Sequence, residues 1–398
     1  MNKTIEKAEQ NLLHTYNRFQ LVIDHGEGNC IFDTDGKEYL DFFSGIGVFG
    51  LGYGNKKFAD AVKAQVDKIT HVSNYFYTEP LAEAAAKLTE VSQMDKVFFT
   101  NSGAEAVEGA LKAALKYAYN KDKSNDHEII AMDHSFHGRT CGALAVTGKA
   151  AYREAFEPLI SKVNFANIND FESVERLVND KTCAIIMETV QGEGGIYPAD
   201  EDFLRKVSTL CKEKDIVFIL DEVQCGMGRT GYMFAWQKYG IKPDIMTCAK
   251  ALGNGIPVGA FLLSGRVAES SLVAGDHGTT YGGNPLASTA VSTVLDIFRE
   301  EEIDRHVREI TPYLESRLDE LKDRHSCVLG RRGAGFMQGL ILSVKPGDVV
   351  NKGLEKGIIL LTAGTDVLRL LPPLTIGKEE IDKMYEILDS ILAEFDQI

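Results

Sequence analysis

The sequence predicts an α/β protein with a large parallel sheet and a separate, smaller α+β domain, and three observations carry that reading. Through the middle of the chain, short apolar runs alternate with stretches of helical periodicity, the pattern of βαβ units. Five of those runs end abruptly in polar residues. After about residue 290 the texture changes to long charged helical segments, Gly-rich short strands and a final amphipathic helix.

In chain order, the segment 1–55 contains CIFDTDGKEYLDFF, which reads as a hairpin turning at Asp35-Gly36 and is expected to join the smaller domain or to line a site. Residues 56–290 form the expected large domain and open with the helical pattern KKFADAVKAQV. The strand VFFT ends at Asn101-Ser102, before a helix with Val107, Ala110, Leu111, Ala114 and Leu115 on one face. EIIAM ends at Asp133-His134, AIIM at Glu188, IVFIL at Asp221, and IMTC just before Lys250. Ligands of open parallel sheets sit beyond the carboxyl ends of the strands, so these polar groups are expected on one rim. Residues 291–398 form the expected small domain, with GFMQGLIL, GIILLTAG and VLRLLPP as strands. Its last helix would place Ile381, Met384, Ile387, Leu388, Ile391, Leu392 and Phe395 on one face.

Composition narrows the function classes. A chain of 398 residues with 44% hydrophobic content can bury a sizeable core, which excludes disordered and fibrous classes. A net charge of −15 repels phosphate backbones and anionic lipid, so nucleic acid is not an expected partner. No stretch has the apolar length of a membrane span, and MNKTIEKAEQNLLHTYNRFQ has no secretory apolar region, so a cytoplasmic protein without a membrane partner is expected. The seven scattered cysteines contain no CxxC and read as reduced packing residues. His134 and His137 have no third ligand at metal spacing, so no metal is expected. Gly45-Gly47-Gly50 and Gly226-Gly228-Gly231 match GxGxxG, but neither follows a strand and opens a helix as a dinucleotide site requires.

Three features carry chemistry. Asn101-Ser102-Gly103-Ala104-Glu105 is a small-residue turn at a helix start, where free N–H groups and the helix dipole suit a phosphate; an ordinary serine cap is the plain alternative. Asp221 ends an apolar strand, where a carboxylate can keep a ring nitrogen protonated or serve as a structural cap. Lys250 stands among small and apolar neighbours, which lower an amine's pKa and favour a Schiff base with an aldehyde; a snorkelling lysine is the alternative. A phosphate cradle, a carboxylate for a pyridinium and an amine for an aldehyde are together the handles of pyridoxal 5′-phosphate.

At these residues the sequence resembles the class III, ornithine-type aminotransferases. The runs NSGAEA, SFHGRT, QGEGG, DEVQCGMGRTG, CAKALGNGIPVGA, GTTYGGNP and VLRLLPP occur in that family's order over nearly the whole chain. The resemblance implies the fold type I of PLP-dependent transferases, with a mostly parallel seven-stranded sheet flanked by helices. It also implies a homodimer, with Thr280, beside Thr279, reaching the phosphate in the neighbouring subunit. Lys250 would bond the cofactor and carry the proton, and Asp221 would face the ring nitrogen. Ser102, Gly103 and Ala104 would form the phosphate site; Phe136 and Val223 would flank the ring, and Gln224 would approach its hydroxyl. Arg139 would clamp a substrate carboxylate in two-pronged fashion. Glu193 would be a switch pairing with Arg139, Glu188 would support the site, and Arg369 would lie close by.

Within the class, residues 71–80, 44–47 and 361–364 resemble members acting on acetylated ornithine. That implies N2-acetylornithine and 2-oxoglutarate as substrates and glutamate as a product. Other ω-aminotransferases of the class, acting on ornithine, succinylornithine or GABA, and a non-catalytic PLP-binding relative are the alternatives. Val107 stands where Asn is usual and Thr189 where Pro is common, and Phe49, Tyr53 and Asn55 interrupt another family pattern near the expected entrance.

Overall fold

Burial on both faces explains the centre of the molecule. In the computed structural model, which describes residues 2–160 and 162–396, TCAIIM of Thr182–Met187 and VFILD of Val217–Asp221 are buried at every position. Strands covered by helices on both sides need such unbroken apolar runs. They lie in a seven-stranded sheet whose order is Lys96–Thr100, Gly259–Leu263, Ile245–Cys248, Val217–Asp221, Thr182–Met187, Glu128–Met132 and Val163–Ala166. Gly259–Leu263 is antiparallel to both neighbours, and the remaining pairs are parallel. This is the mostly parallel sheet of the expected fold.

The helix Gly103–Asp122 lies on this sheet through Val107, Ala110, Leu111 and Ala114, all buried, with Leu115 partly so. A side chain at Gly109 would bring its Cβ within 2.2 Å of the Phe261 ring, so glycine lets the helix backbone rest against the sheet. Val107, the departure from the family pattern, packs in the same apolar layer.

The amino-terminal hairpin forms as expected, Cys30–Asp33 pairing antiparallel with Glu38–Asp41. Its second strand also pairs in parallel with Ile358–Ile359, matching Leu40 to Ile358. GIILLTAG is therefore not one strand. Ile358–Ile359 joins the amino-terminal sheet, whereas Leu361–Ala363 pairs with Val367–Leu370 in another. That other sheet, entirely antiparallel, runs Val328–Ala334, Met337–Leu342, Val367–Leu370, Leu361–Ala363. Val328–Ala334 escapes the sequence pattern because Arg331 and Arg332 occupy its middle; Arg331 is matched by Asp319 at 3.0 Å and Glu315 at 3.2 Å. In the last helix, Lys378–Phe395, the buried residues are Ile381, Met384, Leu388, Ile391 and Leu392, with Ile387 and Phe395 at the margin of the same core. Among the described residues, no helix is long and apolar enough to cross a membrane.

Candidate active site

The sheet's rim concentrates the polar groups. A cavity of about 450 Å³ opens there, lined by Asn101, Ser102, Gly103 and Ala104 from the start of the helix Gly103–Asp122. Glu188, Asp221 and Lys250 reach it from three strand ends, and Val223 and Gln224 from the turn after Asp221. The loop after Glu128–Met132 contributes Phe136, His137 and Arg139; Asp133 and His134, the residues at that strand end, do not line the cavity.

Asp221 is the most firmly held of these groups. The parallel register places it opposite Thr247, whose hydroxyl donates to Asp221 Oδ1 at 2.9 Å. The Val223 amide donates to the same oxygen at 3.0 Å. The other oxygen lies 2.7 Å from His137 Nδ1, within a pair that is almost wholly buried. Burial disfavours a charged imidazole, yet the hydrogen bond and charge of Asp221 prevail and raise the His137 pKa. A carboxylate fixed by three donors presents negative charge without spending conformational freedom.

Lys250 follows the strand Ile245–Cys248 and adopts φ +49°, a left-handed conformation that costs a β-carbon residue on the order of 1–3 kcal/mol. Burial, reinforced by Arg369, holds its amine below the ordinary lysine range although Glu193 and Asp221 pull the other way. A neutral amine is nucleophilic. Glu188 accepts from the Phe136 amide at 3.2 Å and the Gly192 amide at 3.3 Å, and burial pushes its carboxyl up to about 7.

At the helix start the Ser102 hydroxyl accepts from the Glu105 amide at 3.2 Å, so the serine caps the helix. Glu105 in turn accepts from the Asn101 amide at 2.7 Å and from its side chain at 2.9 Å, which fixes the turn. Thr279 is tied to this turn by the Asn101 side chain at 3.2 Å. Thr280 is not brought to the cavity; it is exposed beside His71, Asn74 and Phe76.

The two arginines differ in their surroundings. Arg369 is buried and paired with Glu193, Nη1 to Oε1 at 2.5 Å and Nη2 to Oε2 at 3.4 Å. Gln224 joins them, accepting from Arg369 at 3.2 Å and donating to Glu193 at 3.3 Å. Burial would raise the Glu193 carboxyl, but Arg369 outweighs it and keeps it below the ordinary range. Glu193 thus does not pair with Arg139, contrary to the expectation. The cause is local: the Gly364 amide donates to the Glu193 carbonyl at 3.1 Å, docking the QGEGG loop against the hairpin that carries Arg369. Arg139 is exposed, with its guanidinium 3.7 Å from the Tyr152 ring centroid and 5.4 Å from that of Phe136.

His137 and Thr247 are the site residues that sequence reasoning missed. His137 is read from sequence only as a possible metal ligand with His134, and Thr247 becomes visible only through the register of two strands far apart in sequence. The Phe49 and Tyr53 rings pack at 4.5 Å between centroids, tilted by 32°. The Tyr53 hydroxyl donates to Asp41 at 2.8 Å, and the Phe49 ring covers Gly255 at the cavity wall.

Comparison with known proteins places this arrangement. The family profile described as "Aminotransferase class-III" matches residues 13–392. An acetylornithine aminotransferase from Clostridium acetobutylicum is 45% identical over 379 residues, spanning 95% of this chain and 98% of its own. One from Methanocaldococcus jannaschii is also 45% identical, over 96% of each chain. Among solved structures, the ornithine aminotransferase of Toxoplasma gondii ME49 superposes with a TM-score of 0.95 at 27% identity, covering 99% of this chain and 95% of that one. The N-acetylornithine aminotransferase of Stenotrophomonas maltophilia K279a gives 0.85 at 33% identity, covering 98% and 99%.

Proposed function

The chain belongs to the class-III aminotransferases, PLP-dependent enzymes, and from that premise we propose that it moves the terminal amino group of N2-acetyl-L-ornithine to 2-oxoglutarate. The products would be N-acetyl-L-glutamate 5-semialdehyde and L-glutamate, as a step of arginine biosynthesis. The observation that carries the reading is the meeting, in one cavity, of a pKa-lowered Lys250, a triply held Asp221 and Arg139, with the Glu193–Arg369 pair bonded to the cavity-lining Gln224 behind them. The curated relatives described above at 45% identity are both acetylornithine aminotransferases, which favours the acetylated donor over free ornithine.

The residues present fit the cofactor. The capped helix start offers Ser102, Gly103 and Ala104 to a phosphate, with the helix dipole behind them. Phe136 and Val223 are apolar walls for a ring, and Asp221 supplies the anion that a protonated ring nitrogen needs. When bound, PLP supplies an aldehyde that accepts an amino group and a ring that takes up the charge developing at the substrate carbon.

The chain's own residues would do the rest. Lys250 Nζ, its pKa lowered by burial, would hold the cofactor's aldehyde end and would serve as the base that moves a proton at the substrate carbon. Thr247 and His137 hold the Asp221 carboxylate in place throughout. Arg139 receives the donor's carboxylate while Glu193 keeps Arg369 occupied. In the return half, 2-oxoglutarate brings two carboxylates, and Glu193 releases Arg369 to meet the second. Two half-reactions then share one pocket with different charge counts. The test is absorbance of the bound cofactor in half-reactions with a panel of ω-amino donors. Conversion by N2-acetylornithine and reversal by 2-oxoglutarate support the assignment; a response to free ornithine or GABA alone, or none at all, overturns it.

The assembly we propose is a cytoplasmic homodimer. Tyr75, Phe76, Tyr77 and Tyr281 are large and exposed, and Phe76 lies beside Thr280, a combination suited to burial against a second copy that takes Thr280 into its phosphate site. The strand pairing of Leu40 with Ile358 supports grouping residues 1–55 with 291–398, around a cofactor domain of 56–290.

A further inference from the structure

Arg139 lines the cavity and, among the described residues, has no ion pair. It faces aromatic rings and, among the described residues, no carboxylate. Tyr152, in the short helix Ala150–Arg153, presents its ring 3.7 Å from the Arg139 guanidinium. The same ring meets Phe136 edge-on, centroids 6.4 Å apart at 87°. Lys149 lies 4.6 Å from the ring centroid and donates to the Tyr152 hydroxyl at 3.4 Å. In a chain of net charge −15, two cations gathered around one ring without an acidic partner are an exception that solubility does not require.

We propose that Tyr152 is a positioning residue for carboxylate recognition: its ring holds the Arg139 guanidinium erect at the cavity mouth without neutralising it. This rests on the reading of Arg139 as the carboxylate receptor. The physical distinction is between two ways of fixing an arginine. A carboxylate partner such as Glu193 fixes the guanidinium but must be displaced before a substrate can bind. An aromatic face attracts it through the ring quadrupole and leaves its N–H edge and its full charge available. Arg139 is therefore ready in both half-reactions, while Arg369 is conditional. Lys149, on the same ring, adds a second positive charge to attract an incoming anion.

The test uses the PLP-loaded enzyme and glutarate, a dicarboxylate with no reactive carbonyl, with binding read by calorimetry and cofactor loading by absorbance. Tyr152→Leu is expected to weaken glutarate binding roughly three- to tenfold, the range for losing a partly exposed cation–π contact, and to raise KM for both substrates while kcat holds. Tyr152→Phe, which keeps the ring, is expected to restore binding to within about twofold. If Tyr152→Leu binds glutarate normally while Arg139→Gln does not, the positioning role is overturned and the reading of Arg139 stands. If Arg139→Gln also binds normally, that reading itself fails. Loss of cofactor absorbance in Tyr152→Leu also overturns the proposal, because the ring would then be serving Phe136 instead of Arg139.

Discussion

Glu193 grips Arg369 with both carboxylate oxygens, at 2.5 and 3.4 Å, and so neutralises the arginine that stands behind Gln224 of the cavity wall. An enzyme with one pocket for a monocarboxylate donor and a dicarboxylate acceptor needs a device of this kind, since a permanently bare second arginine would favour glutamate over the donor.

The first prediction follows directly. Glu193→Gln keeps the shape and removes the charge, so it should slow the half-reaction with N2-acetylornithine relative to that with glutamate, by about tenfold in the ratio, equivalent to about 1.4 kcal/mol. Single-turnover rates with the two donors measure it. Equal slowing of both would discredit the switch.

Lys250→Ala should remove the nucleophile and proton carrier, lowering kcat by at least roughly 10²–10⁴-fold. Cofactor should still bind, because the helix start, Asp221 and the ring walls are untouched. A variant turning over at the normal rate would show that Lys250 has been misassigned.

The buried carboxyls make stability depend on pH. Glu188 and Glu222 are both raised to about 7 by burial, from an ordinary value of 4.5. A raised carboxyl pKa means the folded state binds the proton more tightly, so its contribution is complete below about 4.5 and is lost as pH climbs through about 7. Thermal melts of the native chain should fall between about pH 4.5 and about 7. Glu222→Gln should flatten that fall by on the order of 1–3 kcal/mol. A variant whose melting temperature drops more steeply than the native chain's would contradict the assignment.

Thr280→Ala should weaken PLP retention, and Tyr77→Asp should shift the protein toward monomer and reduce activity with it. Sedimentation coupled to activity decides this. A monomer with full activity would refute the shared site.

Asp221 and Lys250 were legible in the sequence because both follow unbroken apolar strands, and buried strands end where polar side chains begin. Five strands of the sheet were legible as apolar runs, and the 103–122 helix and the last helix by periodicity, whereas Val163–Ala166 and the antiparallel Gly259–Leu263 were not read. Pairings between distant segments were not. Glu193 and Arg369 are 176 positions apart and meet because a loop docks on a hairpin, which no local pattern encodes. The division of GIILLTAG between two sheets is likewise decided by partners, Glu38–Asp41 and Val367–Leu370, and not by its own uniformly apolar residues. His137 was hidden because a histidine in a loop has no periodicity to betray its partner.

The pairing of the amino-terminal hairpin with Ile358–Ile359 has a consequence for biogenesis. Lys37 bonds to the carbonyl of Leu354, 317 positions later, so a chain still emerging from the ribosome holds three of this sheet's four strands long before the fourth exists. Until translation nears its end, that hairpin edge must wait unpaired, exposed to chaperones or to misassociation. Premature termination would leave a nearly full-length product that cannot close its amino-terminal sheet.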